Sequence, residues 1–273
     1  MYKLVTNKDV KIILPYFFYP KHKTELIRLG KDNDGGYLIP TRSIESTKSL
    51  CSFGLDDDFS FEQDFCKKKD ISVNCYDPTV NWRFWTKRFI RDLRNLILFK
   101  IKKNELKNIF RYFDYKKFFN SKIRIHHKKF IAPVGTTVSG IDSENIIDLN
   151  AMFINNTKKN IFLKIDIEGS EYRILDQIIK YQTLITGLAI EFHECDLHDS
   201  KIKNFMENFS LKLVHLHVNN WGLINSKKFP SALELTFSPQ EYNQDINDAN
   251  YSLPTALDQP CNPLFQDLPI KFE

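Results

Sequence analysis

The chain has 273 residues, 42% hydrophobic and 27% charged, with a formal net charge of +5. That is ordinary globular usage, and it excludes a disordered tail protein, a fibrous repeat and a small peptide fold while leaving room for a substantial core. Nine glycines against 23 phenylalanines argue against a glycine-rich phosphate loop. Residues 1–46 form an N-terminal segment expected to cap the body. An apolar run at 48–53 predicts a strand, 59–68 a helix and 71–76 a second strand. Further runs at 130–134, 160–165 and 184–192 predict strands, and 143–153 and 171–180 helices. The runs at 211–218 and 232–237, separated only by a loop, predict an antiparallel pair. The last stretch, 239–273, has five prolines and no periodicity, and is expected to be an ordered, extended tail.

This alternation predicts a single α/β domain over 1–273, with a mostly parallel sheet, helices on both faces and a terminal antiparallel pair. Ligands in such sheets bind beyond the carboxyl ends of the strands. Between the second and third predicted strands lies a different segment. Residues 81–130 hold sixteen Lys/Arg against Asp92, Glu105 and Asp114, a net of +13. The same segment is rich in aromatics, and its apolar positions recur at three- and four-residue spacings, which predicts one or two amphipathic helices inserted into the body.

Cys51, Cys66, Cys75, Cys195 and Cys261 lie far apart with no Cys-x-x-Cys pair, a pattern that suits reduced thiols in a cytoplasmic protein better than a disulfide framework or a zinc site. No stretch approaches the ~20 apolar residues of a membrane span, and Pro15 breaks the early run Ile12-Ile13-Leu14 too soon for a signal peptide.

The first strand leads into Phe53-Gly54-Leu55-Asp56-Asp57-Asp58 and then a helix start. Asp77 follows at the end of the next strand, where an acid can accept both hydroxyls of a ribose. The three aspartates would repel a pyrophosphate. A nicotinamide dinucleotide is thereby disfavoured, whereas an adenosyl cofactor with a cationic sulfonium and no phosphate tolerates such a loop. Phe53, Gly54, Asp57, Asp58, Asp77 and Asp166 are the candidate cofactor-binding residues, with the aspartate turn near the amino-acid moiety.

The run Lys164-Ile-Asp166-Ile-Glu168-Gly169-Ser-Glu171-Tyr-Arg-Ile-Leu175 resembles the signature of FkbM-type S-adenosylmethionine-dependent methyltransferases. Asp34-Gly35-Gly36-Tyr37, Tyr76-Asp77-Pro78-Thr79, Glu191-Phe-His193 and Pro230-Ser-Ala-Leu-Glu234 look like further landmarks in order, so that the resemblance covers roughly 28–240. It implies a Rossmann-like class I methyltransferase fold, S-adenosyl-L-methionine as cofactor, and methylation of hydroxyls of sugars, polyketides or related metabolites. The single glycine of the first loop and the basic insertion depart from that pattern.

Asp166 should end the fourth strand and face the crevice. Period-two geometry puts Glu191 and His193 on one side of the fifth strand, and His215, His217 and Asn219 on one side of the sixth. A hydroxyl acceptor needs a base, and an imidazole with an ordinary pKa of ~6.5 suits it. His193 is the expected base, with Asp166 orienting or sharing that role and His217 a further catalytic candidate. Asp166, Glu191, His193, His217 and Asn219 also suit Mg²⁺, a use that nothing in the spacing compels.

Arg83, Lys87, Arg88 and Arg91, nearest to Asp77, are the candidate contacts to the acceptor. Their charge implies an anionic acceptor, such as a phosphorylated sugar or an acidic glycan, under a basic lid. The competing reading makes 81–130 the working part of a nucleic-acid-binding or surface-docking protein. No recognised nucleic-acid module accompanies it, and nucleic acid is the less expected partner. A homo-oligomer is compatible with the sequence.

Overall fold

In the computed structural model, which describes residues 3–4, 10–98, 110–133, 135–137, 142–155, 159–246 and 251–273, seven strands form one central sheet. They are β1 (Ser49–Phe53), β2 (Ser72–Tyr76), β3 (Arg124–His127), β4 (Ile161–Ile165), β5 (Ile185–His193), β6 (Lys212–Val218) and β7 (Ala232–Ser238). Their spatial order is β6-β7-β5-β4-β1-β2-β3. Strand β7 runs antiparallel to both neighbours and every other pair is parallel. This is the Rossmann-like class I methyltransferase arrangement, with the antiparallel pair where the sequence puts it.

The helices are α1 (Thr41–Ser46), α2 (Ser60–Lys68), α3 (Trp82–Ile97), α4 (Arg111–Phe119), α5 (Leu149–Asn155), α6 (Leu175–Lys180) and α7 (Cys195–Asn208). Parallel strands covered on both faces read as near-continuous apolar runs. Strand β4 shows the division: Ile161, Leu163 and Ile165 join a core with Ile178 of α6 and Phe205 of α7, while Phe162 points the other way against Phe61 and Phe65 of α2.

Several elements differ from the sequence expectations, among them the helix expected at 171–180, which is a 3₁₀ turn at Glu171–Arg173 followed by α6. The third strand is Arg124–His127, inside the segment taken as insertion. Phe130–Ile131 instead makes a two-residue parallel pair with Ile146–Ile147. An edge strand with exposed Ile125 and flanking lysines carries no apolar signal, because edges are protected by charge. The helix expected at 143–153 starts later. Ser143–Asn145 is a single 3₁₀ turn, and Asp148 accepts bonds from the Asn150 and Ala151 amides to cap α5. Helix α7 has no counterpart among the expectations. The expected insertion divides into α3 and α4 around residues 99–109, which lie outside the described residues, as does Val134.

The chain ends are tied down. Ile270–Phe272 pairs with Ile12–Leu14, and Leu253, Cys261 and Leu268 of the proline-rich tail are buried. All five cysteines are free thiols. No helix among the described residues is long and apolar enough to cross a membrane.

Candidate functional site

The sheet order reverses between β1 and β4, and the chain leaves these two strands in opposite directions, which opens a crevice at their carboxyl ends. Gly54 sits there at φ 81°, and a Cβ on it would lie 1.6 Å from the Asp166 carbonyl oxygen. Only glycine lets the two backbones approach this closely. The loop beyond is fixed by Asp77. Its Oδ2 accepts from the Leu55 and Asp56 amides at 2.9 and 3.0 Å, and its Oδ1 from the Thr79 amide and hydroxyl at 2.7 and 2.6 Å. Burial works against the charged form, but these donors hold the Asp77 carboxyl below its ordinary value.

A cleft of about 410 Å³ opens between this loop and Asp166, lined by seven carboxylates, including Asp34, Asp58, Asp77 and Asp166, against Lys31, Lys129 and Lys164. Lys164 lies inside the apolar strand β4. Its Nζ donates to the Gly54 carbonyl at 3.0 Å and to Asp166 Oδ2 at 3.2 Å. Burial disfavours the ammonium, but Asp166 and Glu62 outweigh it and push Lys164 up to about 12. The Tyr37 hydroxyl donates to the same Asp166 oxygen at 3.1 Å and lies 3.4 Å from Glu191 Oε2. Lys31 pairs with Asp58 at 2.8 Å. Burial, reinforced by Glu234 and Asp166, raises the Asp34 carboxyl. The cleft thus holds more negative charge than its own lysines balance.

A second cavity of about 910 Å³ shares Asp34, Asp166, Glu168 and Ser170 with the first and adds Glu191, His193, Asn219 and Trp221. His193 Nδ1 lies 3.1 Å from Glu171 Oε1, and its Nε2 is 3.5 Å from Glu168 and 3.7 Å from Glu191. Glu171, fully buried, also accepts from the Ile167 and Gly169 amides, so one carboxylate sets both the turn after β4 and the imidazole. Burial opposes the imidazolium, but Glu171 and Glu191 raise His193 to about 9. The expected base is therefore protonated at neutral pH. Glu191, which accepts from Asn219 at 2.7 Å, is raised by burial and by Asp166.

Gly54, Asp58, Asp77, Asp166 and His193 come together at these two cavities. Other candidates do not. Phe53 is fully buried and stacks on Tyr76, so that only its backbone shapes the crevice. Asp57 turns away from the cleft and is clasped by Arg88, Arg91 and Arg111. His217 is buried between Glu234 at 2.7 Å and Asp267 at 2.9 Å and reaches neither cavity.

The basic candidates also lie elsewhere. Arg83, Lys87, Arg88 and Arg91 line neither cavity, and Arg88 is engaged by Asp57 and Asp92. The reason is packing. Trp85 of α3 is buried with Phe59, Val80 and Phe118, which seats the helix beside α2 and not over the crevice. Neither α3 nor α4 contributes a residue to the two cavities, so the expected lid is not formed by these helices, and the second cavity is itself lined by carboxylates.

Tyr37, Lys164 and the pairing of Glu171 with His193 are the parts that sequence reasoning missed. A lysine within an otherwise apolar central strand is a signal for the second, since a buried ammonium needs carboxylate partners. Asp166, Glu191 and His193 present ligand atoms within 4.8 Å of one another, as do His217, Glu234 and Cys261. At both places the protein's own cations, Lys164 with His193 and His217 itself, already face the carboxylates.

No family model matches the chain, and no curated protein does. Similar solved structures include a precorrin-6y C5,15-methyltransferase from Geobacter metallireducens, at 10% identity and TM-score 0.34 over 72% of this chain and 85% of that one. The fibrillarin pre-rRNA processing protein of Methanococcus jannaschii gives 11%, 0.34, and 87% of each chain. TYW2 from M. jannaschii in complex with AdoMet gives 10% and 0.33 over 88% and 100%. At these scores the likeness decides nothing about activity, and the fold assignment rests on the strand order.

Proposed function

We propose that the protein is an S-adenosylmethionine-dependent methyltransferase that O-methylates a sugar hydroxyl. The observation that supports this is the continuity of an anionic cleft at the β1/β4 crevice with a second, acid-lined cavity that carries His193 and the half-exposed ring of Trp221. The residues fit the cofactor. Seven carboxylates against three lysines in its lining leave the cleft anionic, which suits a sulfonium and an ammonium and opposes a pyrophosphate. Asp77 and the amides it fixes would hold the ribose end, with Tyr76 and Ile131 beside the base.

When bound, the cofactor supplies a methyl group already activated by its sulfonium, so catalysis rests mainly on positioning. Gly54 keeps the floor of the cleft thin. Lys164 and Tyr37 hold the Asp166 carboxylate at the junction of the two cavities, and Glu171 holds the His193 ring with Nε2 toward the acceptor cavity. In its neutral form His193 takes the proton of the acceptor hydroxyl at Nε2, while its Nδ1 keeps its own proton and donates it as a hydrogen bond to the Glu171 carboxylate. The carboxylates and the aromatic ring of Trp221 suit the hydroxyls and the C–H face of a neutral sugar. An anionic acceptor loses its support once Arg88 and Arg91 are seen to face Asp57.

Calorimetry with S-adenosylhomocysteine, followed by mass analysis of neutral and phosphorylated sugars incubated with S-adenosylmethionine, tests the reading. Saturable binding and a neutral sugar one methyl group heavier are expected. No binding of S-adenosylhomocysteine by the folded protein overturns it, and methylation of phosphorylated sugars alone overturns the acceptor assignment.

A further inference from the structure

The exposed surface of α3 carries two stripes that the cleft does not use. Trp82, Phe89, Leu93 and Ile97 follow one another at helical spacings of seven, four and four, with Ile90 beside them, and they are 68, 46, 39, 66 and 59% exposed respectively. Side chains of this size are uncommon in one contiguous exposed patch on a soluble surface. Arg83, Lys87, Arg91 and Arg94, all exposed, run along the adjoining edge, and the Arg83 guanidinium lies over the Trp82 ring. The helix's one acid, Asp92, is buried against Arg88. Nothing negative remains on the outer surface of α3. The helix is about 24 Å long at 1.5 Å per residue, and its third side is anchored by buried Trp85 and by the Arg88–Asp57 pair.

We infer that α3 is a membrane-surface docking helix, which lays the Trp82–Ile97 stripe into the headgroup boundary of a bilayer rich in anionic phospholipid while Arg83, Lys87 and Arg94 meet the lipid phosphates. An apolar face, a flanking basic face and an aromatic at the boundary are what an interfacial helix needs. The aliphatic character of the stripe selects lipid over nucleic acid. Bases stack on aromatic rings, whereas Ile90, Leu93 and Ile97 offer only acyl-like surface. Charge selects lipid over a second copy of the chain, since a self-paired stripe would bring basic edges together with no exposed acid on the helix to meet them. The inference does not rest on the methyltransferase reading.

Cosedimentation with vesicles of phosphatidylcholine alone, and of phosphatidylcholine with phosphatidylglycerol, tests it on the full chain. Wild type is expected to partition onto the anionic vesicles only. Two variants, Leu93→Glu with Ile97→Glu, and Arg83→Glu with Lys87→Glu and Arg94→Glu, are each expected to lower that partition at least tenfold. All these side chains are exposed, so the thermal unfolding of both variants should match wild type. Failure of wild type to bind the anionic vesicles overturns the inference. So does a wild-type dimer in sedimentation equilibrium that Leu93→Glu disperses without any vesicle binding, which would assign the stripe to a second copy. Loss of vesicle and single-stranded RNA binding together on charge reversal, with neither altered by Leu93→Glu and Ile97→Glu, would reduce α3 to an unselective polyanion surface.

Discussion

His193 Nδ1 and Glu171 Oε1 stand 3.1 Å apart across the carboxyl ends of β4 and β5, and this contact holds the His193 imidazole above its ordinary value against the cost of burial. With His193 raised to about 9, only a small fraction is neutral at pH 7. If His193 is the base, kcat/KM for the acceptor should climb close to tenfold per unit from pH 7 toward 9 and then level. Glu171→Gln keeps the shape and an acceptor oxygen for the Ile167 and Gly169 amides but removes the charge, so the limb should move to lower pH. A profile flat between pH 7 and 9 in wild type would discard His193 as the base.

The same pair gives a signed stability effect. The folded His193 holds its proton more tightly than an unfolded histidine of ~6.5, so its contribution is fully present below about pH 6.5 and is lost as pH rises through about 9. Denaturant unfolding of wild type should therefore weaken between pH 7 and 9, and His193→Gln should flatten that decline. An unchanged slope in the variant would move the effect to other groups.

Asp77 bonds four donors of its own loop, which fills its acceptor sites, so on the proposed reading Asp77→Ala acts by freeing the loop amides that shape the ribose end. The affinity for S-adenosylhomocysteine should fall by about 1.5–3 kcal/mol, roughly ten- to a hundredfold. Calorimetry on the folded variant that returns the wild-type constant would place the ribose elsewhere.

What the sequence shows and hides follows from the kind of signal involved. Strands β1, β4 and β5 are buried on both faces and β2 mainly on one, so their apolar positions are legible, and the adjacent β6 and β7 announce an antiparallel pair. Strand β3, an edge with basic flanks, is not. At the site, Asp166 and His193 are legible because period two puts them at strand ends. Tyr37 is not, because its contact with Asp166 spans 129 positions in the chain and depends on how the hairpin Leu26–Leu29 with Tyr37–Pro40 lies against the sheet. Asp57 and Asp58 are neighbours in sequence, yet one faces the insertion and the other the cleft. Composition alone cannot divide them.

Asp57 is 5% exposed and gathers Arg88, Arg91 and Arg111. It ties α3 and α4 to the loop after β1. Removing Asp57 leaves three partly solvated guanidiniums, of which Arg88 keeps Asp92, at a cost of about 1–3 kcal/mol. Asp57→Ala should therefore lower the melting temperature by several degrees while leaving the acceptor KM unchanged at a permissive temperature. A large rise in KM with no loss of stability would return the arginines to acceptor binding.

The cleft carboxylates have internal cations, and that sets the expectation for metal. Lys164 lies 3.2 Å from Asp166, and the His193 imidazolium faces Glu191 at 3.7 Å, so a divalent ion would have to displace charges that are covalently in place. EDTA should leave turnover unaltered. Loss of activity in EDTA with recovery on adding Mg²⁺ would show instead that Asp166, Glu191 and His193 are ligands.

His217 offers the last test, because it separates fold from chemistry. Its two ring nitrogens bond Glu234 of β7 and Asp267 of the tail, and although burial opposes the imidazolium, the Asp267, Cys261 and Glu234 bonds hold its pKa well above the ordinary histidine value. With a carboxylate at each ring nitrogen, His217 closes the tail onto β6. In His217→Ala, Glu234 and Asp267 face a buried gap without the cation between them, which should cost about 3–5 kcal/mol and expose the tail to proteolysis. Turnover per folded molecule at low temperature should stay near wild type, because the ring reaches neither cavity. A variant with wild-type melting and protease resistance but lost turnover would restore His217 to the catalytic set.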